Sequence, residues 1–200
     1  KYMPVDEIVI RANGGRGLRY STPLVDNIGV FSTGKEYVGA FDQHILEDAW
    51  TMGGNITYYM PFGASSNTYL SFDYFRTQFA QQMVVDYEYG MNEIHFYALD
   101  GKRSYTDNYQ VDFSVDPVER FNITATFRYT DARIELAGKG LVEKPMTSRF
   151  KGVLNLQYAT NLNKWIFDFT ASLNGSCRVY NFMEDLKDEN GNLFYKNGRT

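Results

Sequence analysis

Two histidines have the widest chemical reach in this sequence, and each has an acid two positions before it: Asp42 before His44, and Glu93 before His95. Imidazole beside a carboxylate could hold a metal or touch a haem. Asp-x-His and Glu-x-His are weak patterns, so ordinary loop residues are the better reading and no metal is assigned. A lone Cys177 leaves no internal disulfide and no cysteine-based metal site. Gly14, Gly15, Arg16 and Gly17 make a Gly-rich run, but no helix start follows to form a phosphate cradle. Glycines there are expected to let a strand bend or turn at a rim. The run Asp188, Glu189, Asn190, Gly191, Asn192 is similar to a calcium loop, yet Leu186 and Asn197 stand where acids are required, and a solvated turn fits better. Sequons at Asn55 and Asn122 fall inside expected strands, where glycosylation is implausible; a third lies at Asn174. With no nucleophile elbow either, the residues predict no enzymatic activity and no cofactor.

Aromatic side chains carry more promise. Phe31, Tyr37 and Phe41 cluster in one expected loop, and Tyr87, Tyr89, Phe96 and Tyr97 in another. Tyrosine offers rigid contact area with a polar handle, which suits ligand capture. Tyr37, His44, Tyr89, His95, Phe96 and Tyr97 are therefore the candidate ligand contacts. Packing of loop on loop, or an interfacial girdle, is the competing use of the same aromatics.

The elements that would position these residues are short and strictly alternating. In residues 121–130, Phe121, Ile123, Ala125, Phe127 and Tyr129 share one face, and Asn122, Thr124, Thr126, Arg128 and Thr130 the other. Such period-two alternation marks a two-faced β-strand. Seven strands are read this way, at about 7–13, 49–60, 68–87, 104–116, 120–136, 148–160 and 164–174, with an eighth opening at 192–195. Their apolar faces are unusually aromatic and their opposite faces richly polar, as a transmembrane β-barrel requires. Asp73, Asp112, Arg128 and Asp168 would then face the lumen or a plug.

The connections alternate in length: long (14–48), short (61–67), long (88–103), short (117–119), long (138–147), short (161–163), and long from 175. Outer-membrane barrels have short periplasmic turns and longer external loops, so the first strand is expected to run outward and the second to return. A soluble sandwich or lipocalin-like barrel also has period two; strand length and mid-strand charges on the polar face weigh against it. Composition agrees with a barrel. There are 16 tyrosines and 15 phenylalanines in 200 residues, and no run approaches the roughly 18 apolar residues of a spanning helix. A net charge of -4 without a long basic run argues against nucleic acid as a partner.

The ordered series Leu99-Asp100-Gly101-Lys102, Pro117-Val118-Glu119-Arg120-Phe121, Phe127-Arg128-Tyr129-Thr130-Asp131, Glu143-Lys144-Pro145, Arg149-Phe150-Lys151-Gly152 and Lys164-Trp165-Ile166-Phe167-Asp168-Phe169-Thr170, closing on Asn174-Gly175, resembles late barrel strands of TonB-dependent outer-membrane receptors of the Bacteroides-like style. Upstream, Ile10-Arg11-Ala12 with Gly15-Arg16-Gly17 and Arg19, followed by Leu46-Glu47-Asp48-Ala49-Trp50, is similar to that family's strand-ending and strand-starting motifs. The resemblance implies an all-β, antiparallel section of a barrel of about 22 strands, with residues 1–200 forming part of one barrel domain. It also implies a place in the outer membrane of a Gram-negative bacterium and uptake of a scarce nutrient, whether siderophore, haem, vitamin, glycan or peptide. TonB would act through a plug domain that this sequence does not contain, and a surface lipoprotein is a further expected partner. Neither a signal peptide at Lys1 nor a terminal aromatic at Thr200 is present, so both ends look like cuts through something longer. The alternative is a small, self-contained eight-stranded barrel serving as a pore or structural protein.

Overall fold

Period-two alternation becomes one long antiparallel meander in the computed structural model, which describes residues 1–63, 68–90 and 92–180. The strand expected at 192–195 and the run 188–192 lie outside these residues. The strands are β1 Tyr2–Val5, β2 Ile8–Tyr20, β3 Glu36–Gly39, β4 Leu46–Tyr59, β5 Tyr69–Gln81, β6 Met83–Asp86, β7 Glu93–Ala98, β8 Ser104–Val118, β9 Phe121–Leu136, β10 Gly140–Glu143, β11 Phe150–Ala159 and β12 Ile166–Asn174. The main sheet runs β1-β2-β4-β5-β8-β9-β11-β12, each strand beside its neighbour in the chain, with β10 paired to the far end of β9. Among the described residues, β1 and β12 are its two ends and do not pair with each other.

Five of the seven expected main-sheet strands stand close to where the alternation puts them, and the long-short rhythm of connections holds. Two boundaries differ. Strand β2 runs on through the Gly-rich stretch to Tyr20, because residues 8–20 pair without interruption with β4 from Tyr58 to Leu46. Gly15 and Gly17 sit in that extended run with nothing within 4 Å of where a Cβ would be, so neither a bend nor a turn occurs there. The strand expected over 68–87 ends at Gln81, and β6 is a separate element.

The largest departure lies in the long connections, which are folded. Segments 21–45 and 82–103 meet in a second sheet of order β3-β7-β6, where β3 lies parallel to β7 with Glu36 opposite Glu93. One apolar cluster joins Val30, Met83, Ile94 and Phe96 on one side of it. A second joins Val84 and Leu99 to Ile134 and Leu136 of β9, seating this loop layer on the end of the wall.

Candidate functional site

Register decides what each face of the wall can do. Asp73, Gln110 and Arg128 lie in one row across β5, β8 and β9, and Ser71, Asp112 and Thr126 in the next. The four expected lumen residues thus share one face with their polar neighbours, and each is held by side-chain hydrogen bonds to them in a polar ladder. Asp73 accepts from Asn55 Nδ2 at 2.9 Å and from Ser71 Oγ at 3.2 Å. Asp112 accepts from Gln110 Nε2 and Thr126 Oγ1, both at 2.7 Å. Arg128 donates through Nε and Nη2 to Gln110 Oε1 at 2.8 and 2.7 Å. Asp168 accepts from Asn155 Nδ2 at 2.9 Å and Thr170 Oγ1 at 3.2 Å. Charge-to-amide bonds of this kind hold the carboxylates and the guanidinium without consuming them in ion pairs. Asn55 and Asn122 work inside this ladder, as their strand positions require.

The opposite face is apolar and uncovered. Ile56, Phe72, Val111, Phe127 and, past Gly152, Leu173 lie in one row across the sheet, and Phe72 and Phe127 keep 45% and 49% of their surface exposed. Above them Tyr74, Tyr109 and Tyr129 form a row of rings, 4.9 and 6.3 Å between centroids. One row higher the same face turns charged. Arg76 pairs with Asp107 at 3.1 Å, Tyr74 donates to Asp107 at 2.9 Å, and Arg133 pairs with Asp131 at 3.0 Å. Farther up, Arg16 grips Asp48 with two bonds of 2.8 and 2.9 Å. Met52, opposite Arg76, is the apolar exception in the lower charged row.

The inner face inverts at the same height. Asn122, Thr124, Thr126, Arg128 and Thr130 of β9 give way to Ala132, Ile134 and Leu136, all buried under the loop layer. No bulge interrupts β9 against β8 above Val115, so the strand keeps its register while its two faces exchange character. The alternation of 121–130 announced the lower half of this strand; the exchange is visible in the sequence too, at Asp131-Ala132-Arg133-Ile134, once strand and height are known.

The six expected ligand contacts do not form one site. Phe96 is 1% exposed at the centre of the first apolar cluster, a correction that follows from β7 being a buried strand and not a loop. Tyr37 packs edge-on against Phe31 and Phe96 with centroids 6.2 and 6.1 Å apart. Tyr97 accepts the Ala137 N–H through its hydroxyl at 3.0 Å, lies under the Lys102 ammonium at 4.8 Å, and belongs to the second cluster; burial pushes its phenol pKa up. His44 is exposed and donates through Nδ1 to the Ser21 carbonyl at 2.7 Å. Tyr37 with Phe96 is one contact among the six, and Tyr89 with His95 is another, their rings stacked 3.6 Å apart, with His95 Nε2 on Glu93 Oε2 at 2.8 Å. Among the described residues no three His, Cys, Asp or Glu side chains come together as a metal site.

What the sequence reading missed is a cavity of about 580 Å³ between the inverted inner face and the loop layer. The wall contributes Gly17, Arg19, Glu47, Phe79, Ile134 and Leu136; the layer contributes Met83, Val85, Asp86, Tyr87 and Glu88. A second hollow, of about 820 Å³, runs along the polar ladder past Arg11, Asn55, Asp73 and Asp112. The chain matches no protein-family model and no curated protein.

Proposed function

We propose that this chain is wall and loop structure of a transmembrane β-barrel that takes up a scarce nutrient across the outer membrane of a Gram-negative bacterium, in the manner of the TonB-dependent receptors it resembles. The observation that carries the membrane reading is the exchange of faces. Below the tyrosine row, apolar side chains face outward uncovered while the inner face is hydrogen-bonded and polar. Contiguous exposed apolar surface of this extent marks contact with lipid or protein. From Phe121 to Tyr129 β9 offers about nine residues between aromatic ends, the length an inclined strand needs to cross a bilayer core. Above the row the outward face carries Arg16, Asp48, Arg76, Asp107, Asp131 and Arg133, interspersed in β2 and β4 with exposed Leu18, Tyr20, Leu46, Trp50 and Met52.

The receptor reading adds the ordered motif series, long connections folded at one end, and sheet edges left unpaired among the described residues, which suit a section of a barrel of about 22 strands. Nutrient would be met at the loop end, and TonB would act through a plug seated against the polar ladder. One observation favours the smaller alternative: the main path counts eight strands, the number of the smallest outer-membrane barrels.

Fractionation and intact mass test both. The expected result is a protein that stays in outer membranes, needs detergent, and has a mass several-fold above 23.1 kDa. A membrane protein near 23.1 kDa would leave the eight-stranded pore or structural protein standing. A water-soluble monomer would end both readings.

A further inference from the structure

We infer that the cavity beneath the loop layer binds a small organic cation, an apolar body bearing an ammonium group, with Asp86 as its counter-ion. Its volume of about 580 Å³ is that of a small-molecule site. Most acids on its wall already have cations: Arg19 pairs with Asp26 and Glu47 at 3.2 and 2.7 Å, and Glu88 is held by Arg178 and Lys139. Asp86 is different. It is 2% exposed, its Oδ1 accepts the Glu88 N–H at 2.8 Å, and its Oδ2 meets no hydrogen-bond donor among the described residues. The Tyr97 hydroxyl interacts with the Asp86 carboxylate, yet no donor among the described residues meets Oδ2 in hydrogen-bonding geometry.

A buried carboxylate oxygen without a donor is costly, and whatever supplies one is held there. An ammonium group brings three donors and the compensating charge. Two more features select a cation over other donors. Tyr87 and Tyr180, ring centroids 4.8 Å apart, line the same cavity, and aromatic faces attract ammonium groups. An anion would meet the Asp86 carboxylate with like charge, while a neutral apolar guest would leave Oδ2 as it is. Phe79, Met83, Val85, Ile134 and Leu136 would enclose the apolar body. Lys144 also lines the cavity.

This site deepens the receptor reading and rests on it only for access from the loop side. The test is calorimetric titration of the full chain in detergent with 2-phenylethylammonium, against 2-phenylethanol and phenylacetate as shape controls. Saturable binding of the ammonium at least tenfold tighter than the alcohol, with none of the carboxylate, is expected. Asp86→Asn should reduce the ammonium to the level of the alcohol. Gly17→Leu should block all binding, since Gly17 lines the cavity and has nothing within 4 Å of a Cβ position. Equal affinity for ammonium and alcohol overturns the inference. So does unchanged ammonium binding in either variant; should Asp86→Asn not fold, Gly17→Leu decides. A chain monomeric in water without detergent would sink the membrane reading while the same titration still judged the cavity.

Discussion

The lower and upper halves of β9 have the same backbone and opposite surroundings. Residues 121–129 turn aromatic and aliphatic side chains outward and amides and hydroxyls inward; residues 131–136 turn Asp131, Arg133 and Glu135 outward and bury Ala132, Ile134 and Leu136. Both halves are paired on each side, by β8 and β11 below and by β8 and β10 above. Secondary structure therefore does not distinguish them. What differs is the polarity of each face, and the exchange falls at the tyrosine row, where the membrane reading puts the change of medium. Asp107 and Asp131 stand directly opposite each other just above that row, a like-charge pairing tolerated because Arg76 and Arg133 neutralise them.

Removing the core of the upper region should have the largest effect. Phe96→Ala is expected to cost about 3 to 5 kcal/mol, as deletion of a buried ring does. Because its cluster lies within the loop layer, protease should then cut within 21–45 and 82–103 while, on the proposed barrel reading, the main sheet keeps the heat-modifiable gel mobility of a folded barrel. Loss of that mobility would show the two regions to be one cooperative unit.

An arginine scan along the lower outward face comes next. Ala125→Arg, mid-band, should cost about 2 to 4 kcal/mol, falling toward about 0 to 1 near the Tyr129 row, with Phe127→Arg between. Arg128→Leu, on the inner face, gives up its two bonds to Gln110 and should reduce folded yield in membranes less than either. Equal yields of Phe127→Arg and Arg128→Leu would reverse the assignment of faces.

A smaller contrast separates two glycines. At Gly53 a Cβ would stand 2.3 Å from the Tyr74 carbonyl oxygen and 2.5 Å from the Phe75 ring, which covers it on the inner face. Gly53→Ala should lower stability by about 1 to 3 kcal/mol, the cost of overpacking. Gly15→Ala, with nothing within 4 Å, should leave the denaturation midpoint unchanged or raise it slightly. Matching losses at both would mean that crowding is not what singles out Gly53.

Local alternation was readable wherever a strand lay between two faces of unlike polarity, and so β4, β8, β9 and β12 were legible within a few residues. Gly14 to Gly17 misled because glycine usually punctuates, whereas here thirteen successive pairings with β4 carry the strand through. The loop layer was not legible: β3 pairs in parallel with a strand more than fifty residues away, and four-residue segments have no periodicity to detect. Phe96 and Tyr89 look alike in sequence as loop aromatics, yet one is 1% exposed and the other 56%, because burial there depends on that distant pairing. The cavity was hidden for the same reason, since Asp86 and Leu136 share no local pattern.

The finest probe of the boundary is the Arg16–Asp48 pair, which the proposed membrane reading puts in water above the apolar band. Its two hydrogen bonds come with an Arg16 guanidinium lying 5.6 Å from the Trp50 ring centroid. Arg16, first by hydrogen bonding and then by its charge, holds the Asp48 carboxyl below the ordinary carboxylate range. The unfolded chain therefore takes up that proton more readily than the folded one. The stability contributed by the pair is present above the ordinary aspartate value and is lost as pH falls through the lower folded value. Arg16→Gln should remove this part of the acid limb of the stability curve, an effect small because the pair is exposed, and smaller still in high salt. Should Arg16→Gln instead raise stability at neutral pH and leave the acid limb untouched, Arg16 would be facing hydrocarbon, and the level at which the wall exchanges its faces would have to move outward past it.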